Sequence, residues 1–164
     1  MQKSTHARIL DESVWLPAVL VAAGIVFADI LSKAYFFTHL KEGVTPLFQG
    51  LLDLVIHRNY GIVANAPLPQ PITIFLTVTV MLLILRGIRK ADQTRTYREA
   101  LALSLILGGA IGNLIDRVLY DFVRDWMLLF GRSAINLADI AIVVGALWYI
   151  SLKKKSHLAR AESS

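Results

Sequence analysis

The 164-residue chain contains no cysteine. That excludes a disulfide framework, a thiolate metal site and a thiol nucleophile together. Charge is also scarce. Asp, Glu, Lys and Arg make up 18% of the residues, against about 25% in ordinary soluble domains. The four histidines, His6, His39, His57 and His157, are scattered without metal-ligand spacing. No internal repeat or low-complexity tract stands out. These shortages exclude a disordered chain, a charge-rich nucleic-acid-binding domain and most soluble enzymes. No metal and no cofactor is expected.

What fills the chain instead is apolar. Hydrophobic residues reach 55% and the mean hydropathy is +0.57, in the range of membrane proteins. Four apolar runs occur. Run 14–37 is interrupted by Pro17, Asp29 and Lys33; runs 71–85 and 100–115 carry no charge; run 134–152 carries Asp139 alone. A spanning helix needs about 20 apolar residues. The second and third runs reach that length by extending back through Leu68 and on through Leu119. Too little polar sequence remains to cover four such runs in water. The expected fold is an all-α membrane protein, one domain over 1–164, with transmembrane helices near 14–37, 68–89, 98–119 and 134–153. The first run is too long, and too charged at Asp29 and Lys33, to be a cleaved signal peptide.

Basic residues set the orientation. Eleven of the 17 lie in three places: Lys3 and Arg8; Arg86, Arg89, Lys90, Arg95 and Arg98; and Lys153, Lys154, Lys155 and Arg160. Both termini and the middle loop are therefore expected in the cytoplasm, with 38–70 and 117–133 facing outward. The net charge of +5 is then an orientation signal and a contact with anionic lipid, and no nucleic-acid partner is needed. Stretch 51–56 suggests a strand or interfacial segment, so a small extracytoplasmic β/loop element is expected between helices one and two. Pro67, Pro69 and Pro71 predict an extended lead-in to helix two.

A carboxylate in hydrocarbon costs about 2.5–3.5 kcal/mol even on the mild insertion scale, and marks function by default. Asp29, Asp116 and Asp139 lie within or at the ends of the apolar runs, and Asp121 and Asp125 lie in the short outer loop. By the expected topology all five gather at one membrane face. Structural readings stand beside the functional one. Asp29 and Lys33 are spaced for an i,i+4 pair. Asp116 suits loop amides or an arginine from elsewhere. Asp139, alone in its run, resists such a reading. Gly108 and Gly112 form a small-xxx-small face that permits close helix approach, bringing helices three and four together. Two carboxylates at one site do not both ionise easily, so one serves as acid and the other as base. Such a pair activates water against an amide without metal or covalent intermediate. A helical turn would put Asp121 and Asp125 on one side. A serine–lysine arrangement at Ser32-Lys33 is disfavoured, because adjacent helix positions point about 100° apart.

Several motifs resemble the lipoprotein signal peptidase (signal peptidase II) family of intramembrane aspartic peptidases, over about 14–152. Asp29-Ile30-Leu31-Ser32-Lys33 is similar to its D-x-x-[S/T]-K. Asn59-Tyr60-Gly61 is similar to the start of N-x-G-x-A-F-S. The stretch from Gly108-Gly109 through Asn113-Leu114-Ile115-Asp116-Arg117 is similar to G-G-A-x-G-N-x-x-D-R, and Asn136-Leu137-Ala138-Asp139 to N-x-A-D. The resemblance implies catalysis by Asp139 and by an aspartate nine positions after Asp116. That is Asp125, within Val123-Arg124-Asp125-Trp126, with Asp121-Phe122 the alternative. It implies that Asn113, Arg117 and Asn136 hold substrate or orient the pair, with Gly61 and Asp116 grouped beside them. Asp29, Lys33 and Asn59 would support the substrate pocket.

The implied function is removal of the signal peptide from diacylglyceryl-modified bacterial prolipoproteins in the inner membrane, near its outer face. The implied protein acts without cofactor, as a monomer, among membrane lipids. The chain departs from the pattern at 62–65, Arg124, Trp126 and Ile135, and only 14 positions separate Asp125 from Asp139. These departures motivate an alternative, a non-catalytic lipoprotein- or lipid-binding paralogue. A proton-coupled carrier is disfavoured, because helix two offers only threonines and no carboxylate lies in the inner half of the bundle.

Overall fold

The computed structural model describes residues 13–48, 50–61 and 69–161. Lys3, His6, Arg8, Pro67 and the 62–65 departure lie outside the described residues, as do the side chains of His157 and Arg160. Four long helices are present: α1 Trp15–His39, α2 Gln70–Gln93, α3 Tyr97–Tyr120 and α4 Leu137–Ala161. Among the described residues, α1, α2 and α3 are long and apolar enough to cross a membrane. Large apolar side chains such as Phe27, Phe75 and Leu83 point away from the protein, as expected where lipid takes the place of a core.

Local chemistry sets the helix ends. Pro69 is extended at ψ 134° and Pro71 occupies the first turn of α2, where a missing N–H costs nothing. Thr77 and Thr79 turn their hydroxyls back to the carbonyls of Thr73 and Phe75, at 2.8 Å each, so α2 hides its polar atoms within itself. At the far end Asp92 Oδ1 accepts the Val14 amide at 3.0 Å, tying the last turn of α2 to the first turn of α1. Arg86, Arg89 and Lys90 extend α2, Arg98 opens α3, and Lys153, Lys154 and Lys155 extend α4. Most of the basic residues read as loop or tail are therefore helical, though they remain at one end of the bundle.

The opposite end carries a sheet, and here the expected fold needs correction. The strands are β1 Val44–Phe48, β2 Leu52–Asn59, β3 Val123–Leu129 and β4 Ser133–Ile135. They pair antiparallel in the order β1-β2-β3-β4. The β element is thus not confined to the connection between α1 and α2: half of its strands come from the segment read as a short outer loop with a helical turn. The helix stops because Asp121 takes the left-handed conformation at φ 64°. From Val123 the chain alternates between sheet faces, so Asp121 and Asp125 are not one helical turn apart.

Helix α3 is the hub, packed against the other three helices. Its glycines set the spacing, on two faces rather than the one expected. A Cβ at Gly108 would lie 2.8 Å from the Ala22 carbonyl oxygen, and one at Gly112 would lie 2.5 Å from Asp29 Oδ2. That face therefore serves α1. The approach of α3 to α4 depends on Gly109, where a Cβ would collide with the Ala138 carbonyl oxygen, and on Gly145 of α4, where it would lie 2.6 Å from that of Ala102.

Candidate active site

The start of α4 is a reciprocal cap. Asn136 precedes the helix, and its Oδ1 accepts the Asp139 amide at 3.0 Å. Asp139 answers with Oδ2, which accepts the Asn136 amide at 3.2 Å. This is capping-box geometry with Asp in the place of Glu or Gln. It explains the spacing of three in Asn136-Leu137-Ala138-Asp139. It also holds the Asp139 carboxylate at a helix N-terminus, where the aligned peptide dipoles favour negative charge.

Strand β3 delivers the second carboxyl group. Asp125 is fully buried and accepts two side-chain amides. Asn136 Nδ2 donates to Oδ1 at 2.6 Å and Asn59 Nδ2 donates to Oδ2 at 3.0 Å. Asn59 pairs with Val123 in the sheet, so it sits diagonal to Asp125 on the same face. Asn113 of α3 completes the ring. Its Nδ2 donates to Asp139 Oδ1 at 2.8 Å, while its Oδ1 accepts from Asn136 Nδ2 at 3.2 Å and from Lys33 Nζ at 3.0 Å. Each of the two carboxyl groups therefore accepts hydrogen bonds on both oxygens.

Behind this ring lies a buried ionic layer. Lys33 Nζ sits 2.7 Å from Asp29 Oδ2 and 3.2 Å from Asp116 Oδ2. Asp29 Oδ1 accepts the Ala138 amide at 3.0 Å, joining α1 to the α4 cap. Asp116 also receives the Arg124 amide at 2.9 Å, Nε at 3.1 Å and Nη2 at 2.7 Å. Both structural options for Asp116, loop amide and distant arginine, are met by one residue. Arg117 donates to the carbonyls of Asn113, at 3.3 Å, and Gly61, at 3.0 Å. The Gly61 amide closes a short turn on Asn59 Oδ1 at 2.9 Å. The structure thus brings Asp29, Lys33, Asn59, Gly61, Asn113, Asp116, Arg117, Asp125, Asn136 and Asp139 into one connected network. Asp121 is apart: its side chain is exposed, and its carbonyl is held by Gln70 Nε2.

Burial pushes the Asp125 carboxyl up to about 7, and the negative charge of Asp139 adds to the effect. The amides of Asn59 and Asn136 and the charge of Lys33 pull the other way. At neutral pH one of the two carboxyl groups is therefore poised to hold a proton while the other is ionised. Beside the pair opens a cavity of about 620 Å³ between α2, α3 and α4. Asn59, Asn113, Arg117 and Asp139 form its polar end, and Leu76, Val80, Ile106 and Val143 its apolar depth.

Reasoning from the sequence missed three contributors. In the sequence, Arg124 and Trp126 stand only as departures from the family pattern. Arg124 is the main partner of Asp116 and also lies 4.5 Å over the Tyr120 ring. Trp126 stacks on Phe36 of α1 at 3.9 Å, docking β3 against that helix. Thr73, buried in the lining of the cavity, carries no signal beyond being polar in an apolar run.

The Signal peptidase (SPase) II family model matches residues 21–153. A lipoprotein signal peptidase of Halalkalibacterium halodurans is 32% identical over 156 residues, covering 88% of this chain and 97% of that one. Another, from Haemophilus ducreyi, is 31% identical over 157 residues, covering 87% and 94%. The fold is shared with a bacterial membrane enzyme solved in meso at 2.3 Å, with a TM-score of 0.77 and 24% identity over 85% of this chain and 89% of that one. With four-fifths of its length matched by the family model and relatives covered nearly end to end, the chain belongs to the signal peptidase II family.

Proposed function

We propose that this protein is an intramembrane aspartic endopeptidase that removes the signal peptide from diacylglyceryl-modified prolipoproteins, with Asp125 and Asp139 as its catalytic pair. One observation carries the reading: a single residue, Asn136, binds both carboxyl groups, through Nδ2 to Asp125 and through its backbone amide to Asp139. The pairing of β4 with β3 carries the cap to the strand, and the two meet at the edge of a cavity sized for a ligand.

The chemistry follows from the shared proton. The ionised carboxylate takes a proton from a water as its oxygen attacks the scissile carbonyl carbon. The protonated carboxyl gives its proton to the carbonyl oxygen, and a neutral gem-diol results. Proton return to the peptide nitrogen then breaks the C–N bond, leaving a carboxylic acid and an amine. In this reading the resting proton is carried by Asp125, whose carboxyl burial pushes up. Asn113 and Arg117, at the polar end of the cavity, present donors to the substrate backbone, and the apolar depth accepts its hydrocarbon part.

In the same reading α4 also spans the membrane, with Lys153, Lys154 and Lys155 at the cytoplasmic boundary. Both termini are then cytoplasmic, and the sheet and the carboxyl pair lie at the outer face of the inner membrane. The same reading takes the protein as a monomer surrounded by lipid.

The test is cleavage of a lipidated prolipoprotein by purified protein. Asp125→Asn and Asp139→Asn lose cleavage, and Asp121→Asn keeps it. Full activity in Asp139→Asn sinks the proposal. Loss in Asp121→Asn with retention in Asp125→Asn reassigns the pair. Substrate bound but never cleaved by the unmodified chain returns the non-catalytic paralogue.

A further inference from the structure

The site holds more buried charge than a two-carboxylate reaction uses. Among the described residues, four acids meet three cations in one network: Asp29, Asp116, Asp125 and Asp139 with Lys33, Arg117 and Arg124. Asp29, Lys33, Asp116 and Asp125 are 0% exposed, Arg117 7% and Arg124 9%. Contacts run through the layer without a break. Lys33 bridges Asp29 and Asp116, Arg124 binds Asp116, and Lys33 reaches Asp139 through Asn113. Arg117 lies within the electrostatic reach of Asp139, Asp125 and Asp116.

Charge in such a place must balance, because an uncompensated buried ion is far more costly than a paired one. Setting Asp29 and Asp116 against the three cations leaves a surplus of one positive charge. That surplus matches one ionised carboxylate of the pair and no more. Neighbouring groups do not alter the count. Helix α2 offers Thr73 and Thr77 to the cavity. From β2, Asn59 and His57 face Asp125, His57 directly opposite in register, and His57→Gln separates any part of the imidazole from that of the three cations. Asp53 pairs with Leu128, three positions along β3 from Asp125 and four from Arg124, outside the ionic layer. Asp121 and Arg58 are exposed.

We propose that Lys33, Arg117 and Arg124, set against Asp29 and Asp116, fix the number of protons on the Asp125–Asp139 pair at one. Lys33 is then a positioning residue twice over. It orients the Asn113 amide toward Asp139, and it supplies the charge that keeps the second carboxyl from taking up a proton. Its charge acts on Asp125 against burial. This inference rests on Asp125 and Asp139 being the catalytic pair.

The experiment is the pH profile of prolipoprotein cleavage by purified full-length protein in lipid. Unmodified protein gives a bell with an acid and an alkaline limb. Lys33→Met removes the surplus cation, and both limbs move to higher pH by about one unit or more. Asp29→Asn enlarges the surplus, and both limbs move to lower pH. The double variant Lys33→Met/Asp29→Asn restores the balance and returns both limbs to their original positions, although the ion pair is gone. Lys33→Arg leaves the limbs in place. A merely structural role for the pair lowers the height of the bell and moves nothing.

Limbs unmoved in both single variants, shifts in one common direction, or a double variant that stays displaced overturn the proposal. If Lys33→Met does not accumulate in membranes, the direction of the Asp29→Asn shift decides alone. His57→Gln keeps both limbs; a limb that vanishes with it belongs to the imidazole and overturns the assignment. Cleavage by Asp125→Asn refutes the catalytic pair itself, a failure separate from any limb position.

Discussion

Asn136 and Asp125 meet at 2.6 Å, amide nitrogen to carboxyl oxygen, across the gap between α4 and β3. The same asparagine caps the helix that carries Asp139. One residue therefore touches both carboxyl groups, Asp125 through its side-chain amide and Asp139 through its backbone amide.

Asn136→Ala removes the donor to Asp125 and the cap on the Asp139 amide together. Cleavage of lipidated prolipoprotein falls about 10²-fold or more, and loss of the cap costs about 1 kcal/mol of stability. Asn136→Ser separates the effects: a hydroxyl still caps the helix but does not reach Asp125. Its unfolding midpoint stays near that of the unmodified protein while cleavage remains low. Equal recovery of both properties in Asn136→Ser would show that the contact to Asp125 is idle.

Asp125 titrates near 7, raised from an ordinary value of 3.8 by its burial and by Asp139. Between those two values the folded chain holds a proton that the unfolded chain has released. The folded state thus binds more protons, and stability falls as pH rises through this window and levels off above it. Cleavage that needs the protonated form declines above about pH 7. Asp125→Asn, neutral at every pH, loses this slope. Thermal unfolding at pH 5 and pH 8 checks it: unmodified protein unfolds a few degrees lower at pH 8, and the variant shows a smaller difference.

Much of this site was legible in the sequence because its parts are local. Asp29 and Lys33 are four residues apart on a helix, and the pair formed as their spacing requires. Asn136 and Asp139, three apart before an apolar run, are a helix-start signature as well as a family motif. What was not legible depended on pairing across distance. Nothing near Asp125 announces that β2, 66 positions earlier at Asn59, will lie beside it. Without that partner, the spacing of four from Asp121 reads as a helical turn. The left-handed Asp121 that stops the helix is likewise settled by tertiary context. Arg124 carries no signal in the sequence because its partner, Asp116, is met only when β3 folds back along α3.

Gly109 tests how tightly the α3–α4 contact controls Asp139. A Cβ there collides with the Ala138 carbonyl oxygen and lies 2.7 Å from Ile142 Cγ1. Backbone cannot yield as a side-chain tip does, so the helices must part. Gly109→Ala is expected to cost about 1–3 kcal/mol and, by moving Asp139, to reduce cleavage by up to about 10²-fold. Gly24→Ala is the matched control. It meets nothing within 4 Å and is expected to stabilise α1 by about 0.5–1 kcal/mol. Unfolding midpoints and cleavage rates of the two variants, measured side by side, should diverge in opposite directions.

Asp116 is the point where the strand is fastened to the bundle. It receives three donors from Arg124 and one from Lys33, all buried. Asp116→Leu leaves Arg124 without its carboxylate next to Asp125, and breaking a buried pair in this way costs about 3–5 kcal/mol. Adding Arg124→Met removes the stranded guanidinium, so the double variant Asp116→Leu/Arg124→Met is expected to unfold at a higher temperature than Asp116→Leu alone. Lys33 keeps Asp29 as its partner in both. Cleavage should stay low in the double variant even where stability returns, because the hydrogen bonds that hold β3 in place at Arg124 are gone. A double variant no more stable than the single one would place the cost of losing Asp116 with Lys33 instead of Arg124.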